Sequence, residues 1–550
     1  VNNQLQSEIP ASVWLVSREY EGLAGAGGVK DVCRQLGEAL VRNGGYTVRA
    51  VIPRYGFMDP VKLGFRPLFL SGTRPGEICG YWFESCFEVD MNYPHTERRE
   101  QVGIWNKEIN GVSVYLVEAW CYGEKLGVYT YTEEEEKKER WQRSGAGHFD
   151  YFAMNVLLQK VALELMILCG EQPWVIHCQD GHAAILPAMM REIGGYRAYF
   201  RNTGAVVTIH NAGLGYHQEV ADLEFARAIT GLPEHVIDAA VLDGQFDPFL
   251  VAANYAVLNT VSENYARELQ ETMEDSRTGW LGHTLIERGL LLRGVTNGID
   301  PAAFDPVAPE RLGLVAPFNI VQGDLAGKYE CKKDLLGNTH YLRQWEKVEQ
   351  FGVLTNDPEK PLFTFIGRLT EQKGVSVVLE CMETFFMQQE VQLLILGSGD
   401  ARMEEEIQNL CDHPSVNGRF CFLKGFDPKL ANKVYAGGDF FLIPSWYEPC
   451  GLTDYMAQLL GNLPIVHHVG GLVKVLDGET GFAYKKNTVT ALSEAMHRAL
   501  TVFYNKPELH RMQQNAVETI LNHHTWQHVM HAYIDLYKEA HQLTSGPGNG

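Results

Sequence analysis

The strongest constraint on this chain is a repeated alternation. Short apolar runs end in a small-residue turn, and each turn leads into helical periodicity. In the first half the runs lie at 13–16, 48–52, 112–117, 175–177, 205–209 and 257–261; in the second, at 362–366, 393–396, 440–443 and 465–466. Apolar runs without strict alternation are the pattern of strands buried on both faces, as in a parallel sheet. Stretches between them, such as 31–41 and 181–193, supply the crossover helices. The alternation stops across a polar, poorly periodic stretch at 307–360 and then restarts. The pattern predicts an α/β protein with two Rossmann-like, doubly wound domains facing a cleft, rather than one large sheet. Length agrees, since 550 residues exceed what one core comfortably holds.

Charge narrows the partners. The formal net charge is −21, which repels phosphate backbones and anionic headgroups, so neither nucleic acid nor membrane is expected as a partner. A small basic pocket for one nucleotide remains compatible with it, and a neutral polysaccharide is indifferent to it. The eleven cysteines are scattered, odd in number and free of any C-x-x-C pair. That favours reduced thiols in a cytoplasmic protein over a disulfide framework or a zinc site. Residues 1–10 carry no signal-peptide pattern, no apolar stretch is read as long enough to span a membrane, and 545–550 read as a frayed tail. The acidic run 133–136 reads as a solvated helix face or loop.

Open α/β sheets bind ligands outside the carboxyl ends of their strands, and five unusual clusters fall there. Gly25-Ala26-Gly27-Gly28 lies between a strand and the helix near Asp31, which fits a phosphate-binding turn or a plain tight turn. Asp180-Gly181-His182 ends another strand: His182 is placed to hydrogen-bond a sugar hydroxyl, or Asp180 simply caps a helix. His210-Asn211 closes a strand in the same way. Arg368 and Lys373 stand five apart around a turn ending in Gly374, as a pyrophosphate clamp or as a surface pair. Glu448-Pro449-Cys450-Gly451-Leu452-Thr453 sets a carboxylate in a loop before a helix, and Gly470-Gly471 follows the next strand. Structural turns also explain these last two.

Order and spacing together carry more than any one cluster. The chain resembles the glycogen/starch synthase family of glycosyltransferases over nearly its whole length. Val16 to Gly28 stands at the family's first strand and K-x-G-G loop, Asp180-Gly181-His182 at D-W-H, and Thr208-Ile209-His210-Asn211 at T-x-H-N. Thr260-Val261-Ser262 and Asn297-Gly298-Ile299-Asp300 match its T/A-V-S and N-G-I/V-D segments. Arg368-Leu369-Thr370 with Gln372-Lys373-Gly374 matches R-L-T-x-Q-K-G, and Pro444 to Thr453 matches P-S-x-x-E-P-C-G-L-T, the two most specific motifs.

The resemblance implies the GT-B fold and metal-independent, retaining glucosyl transfer from ADP-glucose, or UDP-glucose, to the non-reducing end of an α-1,4-glucan acceptor. It implies an acceptor and catalytic domain at 1–305, a nucleotide-sugar domain at 306–515, and at 516–550 a helix crossing back to the first domain, plus tail. His182, Arg368, Lys373 and Glu448 take the catalytic positions. Gly27, Gly28, Asn297, Cys450, Gly451, Leu452, Thr453, Gly470 and Gly471 take donor-binding positions, and Asp31, Asp180, His210 and Asn211 sugar or acceptor positions. No cofactor or metal is implied, and no D-x-D pair occurs. Four departures stand out: Gly25 replaces the K-x-G-G lysine, Gly181 the tryptophan of D-W-H and Val469 the threonine before the double glycine, and the N-x-x-R-F motif before the helix at 155–168 is not recognisable, with His148-Phe149 nearby instead. Losing a charge-assisted contact to a transition-state phosphate costs roughly 2–4 kcal/mol. Lys30 either compensates or points to solvent. The alternatives are another sugar donor or acceptor on the same fold, or a catalytically weakened glucan-binding regulatory relative.

Overall fold

The computed structural model describes residues 11–544, so the calls on 1–10 and 545–550 lie outside the described residues. The chain divides into two compact units, one of 1–298 with 529–550 and one of 299–528.

The first unit is built on one large sheet. Its strands are β1 (Ser12–Val16), β2 (Thr47–Pro53), β3 (Arg66–Pro67), β4 (Arg74–Ile78), β5 (Tyr81–Asp90), β6 (Arg99–Ile109), β7 (Val112–Glu118), β8 (Val175–Gln179), β9 (Gly204–Ile209), β12 (Val257–Thr260) and β13 (Arg293–Gly294). A separate hairpin pairs β10 (Val241–Leu242) with β11 (Gln245–Phe246). The order β13-β12-β9-β8-β1-β2-β7 is parallel throughout, and β6, β5 and β4 extend it antiparallel beyond β7. From β1 the chain winds first toward β2 and later toward β8, so the winding reverses at β1. Every expected apolar run of this half became a parallel strand, because each is buried on both faces. The antiparallel extension escaped that reading. Strand β5 alternates exposed and buried residues, with Trp82 and Glu84 out and Phe83 and Ser85 in, as one solvated face demands.

The second unit carries β14 (Val348–Leu354), β15 (Leu362–Ile366), β16 (Gln392–Gly397), β17 (Arg419–Gly425), β18 (Phe440–Ile443), β19 (Leu463–His467) and β20 (Phe482–Tyr484). Their order is β14-β17-β16-β15-β18-β19-β20, parallel except for the antiparallel edge strand β14. Here the winding reverses at β15. The helix Val375–Gln388 covers one face with Phe385 and Met382, and Leu335 and Val434 lie in the core on the other. The stretch 307–360 that read as poorly periodic holds the helix Ala326–Thr339 and β14.

Three local expectations need correction. The helix expected at 181–193 starts only at Leu186, after a turn over 181–185. The helix expected at 509–542 is two, Lys506–His523 and Trp526–Gln542; Ile299 enters the break, its N–H donating to the His524 carbonyl at 2.9 Å. The helix Tyr151–Leu168 is long and apolar enough by composition to cross a membrane, contrary to the sequence reading, but 72% of it is buried inside the protein as a core helix. All eleven cysteines are free. The acidic run at 133–136 lies in the helix Glu133–Lys138, where buried Glu135 closes a capping box with Thr132.

Residues 529–542 dock on the first unit through side chains and through backbone. Tyr537 Oη lies 2.9 Å from His177 Nδ1, and Tyr533 Oη donates to Asn297 Oδ1 at 3.0 Å. A Cβ on Gly204 would sit 2.8 Å from the Ala540 carbonyl carbon, so β9 and the terminal helix touch backbone to backbone. Gly204→Val should therefore cost about 1–3 kcal/mol through overpacking. The expected readout is a lowered melting temperature with faster amide exchange over 529–542 and little change in the second unit.

Candidate active site

In the first unit the chemistry gathers at the carboxyl ends of β1 and β8, beside the reversal of winding. Glu19, two residues past β1's end contact Ser17, is buried. Its Oε2 accepts from the N–H groups of Ala26 (2.8 Å) and Gly27 (3.1 Å), and its Oε1 accepts from Tyr129 Oη (2.5 Å). The loop's Ala26 and Gly27 amides are thus committed to an internal carboxylate, which fixes the loop ahead of the helix Val29–Arg42. Gly27 and Gly28 are exposed, with open space where a Gly27 side chain would be. Gly25 is different. A Cβ there would lie 2.3 Å from Lys30 Cδ and 2.9 Å from Lys30 Cβ, so the Lys30 stem fills that space. Lys30 Nζ ends on both carboxylate oxygens of Asp31, at 2.6 and 2.7 Å. Burial raises the Asp31 pKa, opposed by Lys30.

The Tyr129 ring also stacks on His182, centroids 5.0 Å apart and planes 14° from parallel. His182 is buried, and burial, with Arg18 nearby, lowers its pKa to about 3. It is therefore a neutral imidazole at any physiological pH. Asp180 adopts a positive φ of 58° and accepts from the His210 amide at 3.0 Å, so it ties two strand ends instead of capping a helix. Burial pushes its pKa up to about 8 against the amides of His210 and Asn211. His210 Nε2 lies 2.7 Å from Gln179 Oε1, and Asn211 Oδ1 accepts from Gly213 N at 2.9 Å. Gly181 has a steric reason: a Cβ would lie 2.3 Å from the His217 carbonyl oxygen. His217 is itself held by Asp247 at 2.5 Å, which raises its pKa to about 9 although burial alone would lower it. Asn297 is buried against Tyr533.

In the second unit the turns after β15, β18 and β19 interlock. Gly374 has φ 67°, and a Cβ there would lie 2.0 Å from the Pro444 carbonyl oxygen. Trp446 N donates to the Gln372 carbonyl at 2.8 Å. Lys373 Nζ lies 2.6 Å from Glu448 Oε2, which also accepts from Ser445 Oγ at 2.9 Å. Burial would raise the Glu448 pKa, but Lys373, then Ser445 and Lys474, hold it below the usual glutamate value. Arg368, on the same turn as Lys373, is exposed and makes no ion pair with the described residues. The next turn is closer still. Cβ atoms on Gly470 and Gly471 would lie 2.0 Å from the Glu448 carbonyl oxygen and 2.1 Å from that of Cys450. Gly471 N donates to the Glu448 carbonyl at 2.9 Å. A Cβ on Gly451 would lie 2.8 Å from Leu472 Cδ2, and Leu452 leads into the helix Thr453–Leu459.

Arg368, Lys373 and Glu448 are thus set on two laced turns, with Cys450 to Thr453, Gly470 and Gly471 beside them. His182, Asp180, His210, Gly27, Gly28 and Asp31 cluster in the first unit. Sequence reasoning passed over Glu19, Tyr129 and Lys474. A charged pair, Arg18-Glu19, at the end of a buried strand was a signal for the first; nothing in sequence pointed to Tyr129, which arrives from a distant loop. Among the described residues, no group of three or more His, Cys, Asp or Glu is placed to hold a metal ion.

Residues 12–283 match the family described as the starch synthase catalytic domain, and residues 346–519 match glycosyl transferases group 1. The glycogen synthase of Aeromonas hydrophila is 30% identical over 545 residues, spanning 96% of this chain and 98% of that protein. The glycogen synthase of Lacticaseibacillus casei is 29% identical over 521 residues, spanning 93% and 95%. Among solved structures, the catalytic domain of starch synthase IV from Arabidopsis thaliana, bound to ADP and acarbose, superposes with a TM-score of 0.76 at 23% identity, covering 97% of this chain and all of that one. Sucrose-phosphate synthase from Thermosynechococcus elongatus gives 0.55 at 16% identity, covering 98% of this chain and 100% of that one.

The Lys373–Glu448 pair makes a stability prediction. Because the folded pKa of Glu448 lies below its ordinary value of 4.5, its contribution is complete above that value and lost as pH falls through the folded one. Glu448→Gln keeps the shape but strands Lys373, costing about 1–3 kcal/mol at neutral pH. Urea unfolding of the variant should therefore lose stability less steeply than wild type as the pH falls below 4.5.

Proposed function

The chain belongs to the glycogen/starch synthase family, with its GT-B fold, and on that premise we propose retaining transfer of glucose from ADP-glucose, with UDP-glucose as second donor, to the non-reducing end of an α-1,4-glucan. It is a hexosyltransferase of the glycogen synthase type, moving glucose from a nucleotide-glucose to an α-1,4-glucan. The finer assignment rests on one observation: Lys373, Glu448 and exposed Arg368 share two laced turns at the winding reversal of the second sheet.

In this reading the second unit holds the nucleotide. Arg368 and Lys373 bind the diphosphate; Lys373 spends one of its three donors on Glu448 and keeps two. Glu448 Oε2 is taken by Lys373 and Ser445, which leaves Oε1 to accept from a glucose hydroxyl. His182, in the first unit and neutral because of its burial, is suited to hydrogen-bond a sugar hydroxyl and not to act as an acid. The acceptor hydroxyl attacks the anomeric carbon from the face of the departing diphosphate. The C1–O bond to phosphate breaks, the new C1–O bond forms, and the hydroxyl proton passes to the leaving phosphate oxygen. The developing charge falls to the two cations. The products are the nucleoside diphosphate and a glucan one unit longer.

We read the missing K-x-G-G lysine as an exchange: the Lys30 stem occupies the space over Gly25, and its ammonium, which spends two of its three donors on Asp31, keeps one for a phosphate. A transfer assay with ADP- or UDP-glucose and glycogen tests both ideas. Arg368→Ala should reduce turnover by roughly 100- to 1000-fold; transfer equal to wild type would refute the assigned site. Gly25→Lys alone should not raise activity, because the new side chain meets the Lys30 stem. Lys30→Ala should lower it, and the double change should recover part of the loss. Nucleotide release only with a non-glucose donor would favour the other-sugar alternative.

A further inference from the structure

Lys474 ends the turn Gly470–Lys474 with its side chain only 7% exposed. Its ammonium donates to the carbonyls of Cys450 (2.5 Å), Gly451 (2.6 Å) and Gly471 (3.1 Å), and lies 3.1 Å from Asp454 Oδ1. It also lies 4.5 Å from the Tyr455 ring centroid. Three N–H groups facing four acceptors leave none for a ligand. Asp454, fully buried, stands in the first turn of Thr453–Leu459, where Gln458 Nε2 donates to its backbone carbonyl at 3.1 Å. A buried ion pair is a costly way to gain stability, since desolvation offsets most of the attraction. Its value lies in fixing geometry.

We propose that Lys474 and Asp454 are positioning residues that brace the donor loop, tying the Cys450–Gly451 turn, the Gly470–Gly471 turn and the start of the following helix into one shape that holds Glu448 in place. The proposal rests on the reading of this loop as the nucleotide-sugar site. The contacts support it in order. Glu448 is fixed by its own carbonyl, which receives Gly471 N, and by Lys373. Gly471 is fixed by Lys474, and Lys474 by Asp454. Remove the charge at either end, and the two glycine turns keep only backbone contact.

Acid titrates the brace. Burial pushes the Asp454 pKa up to about 6, opposed by Lys474 and reinforced by Glu448. The anion is present above that pH and lost below it. Four groups around it titrate outside that range. Glu448 lies below its ordinary value, burial raises Tyr455 and Tyr435, and His524, beside Lys474, is lowered to about 4.

The test measures ADP binding calorimetrically for wild type, Lys474→Met and Asp454→Asn. At neutral pH, Lys474→Met should weaken ADP by at least roughly tenfold. Between about pH 7 and 5 wild type should lose affinity more steeply than Asp454→Asn, whose brace has no proton to gain. Protonation of the phosphate is common to both proteins and cancels in their ratio. A purely structural role would shift stability without this pH difference. Equal affinities and parallel pH profiles overturn the brace. Should wild type bind neither ADP nor UDP, the donor-site reading falls, and amide exchange decides the brace by itself. Faster exchange confined to 448–454 and 470–474 in Asp454→Asn supports it; unchanged exchange overturns it.

Discussion

Each sheet reverses its winding at a central strand, β1 in the first unit and β15 in the second, and the placement of His182, Arg368, Lys373 and Glu448 follows from that reversal. Loops leaving adjacent strands in opposite directions part above the sheet, and the gap is lined by the carboxyl ends of the strands. In the second unit the two loops beside that gap carry Arg368 with Lys373 and Ser445 with Glu448. In the first they carry Glu19 with the glycine loop, and Asp180 with His182. The strands themselves contribute no chemistry. The parallel ones are buried on both faces and serve as a rigid base that sets the spacing of the turns.

Glycine then decides how closely those turns approach. Gly374, Gly470 and Gly471 each meet a backbone carbonyl near 2 Å from where a side chain would begin. Any other residue would push the Glu448 loop away from Lys373 and from the turn below it. Charge is layered over this backbone contact. One lysine, Lys373, faces the Glu448 carboxylate, which in the proposed function meets the sugar; another, Lys474, lies buried behind the same loop. The first is partly exposed and retains donors for a ligand, while the second is used up by its carbonyls and Asp454. Two like residues flanking one loop thus serve different ends because of what surrounds them.

The first unit uses a different economy. An internal carboxylate, Glu19, takes the amides of the glycine loop, and its second oxygen takes Tyr129, whose ring packs on His182. Loop and histidine are therefore linked through the side chains of Glu19 and Tyr129. Burial keeps His182 neutral, which suits hydrogen bonding to hydroxyl groups over proton transfer. The departures at Gly25 and Gly181 have local steric causes: the Lys30 stem in one case, the His217 backbone in the other.

The amino-acid order by itself determined the parallel strands, the two-fold restart of the α/β pattern and the family, because buried strands and ligand-contacting turns leave local marks: apolar runs, and glycines and charges at fixed spacing. Motif spacing also singled out Arg368, Lys373, Glu448, Gly470 and Gly471. It did not give the antiparallel strands, whose alternating polar residues follow one solvated face. Nor did it give the break before Trp526, which Ile299 makes from over two hundred residues away in sequence. Only the tertiary structure decided that Lys30 fills the place of a Gly25 side chain, that Tyr129 reaches His182, and that Lys474 pairs with Asp454. These are contacts between residues brought together by the winding of the sheets, and no local pattern records a partner that folding supplies.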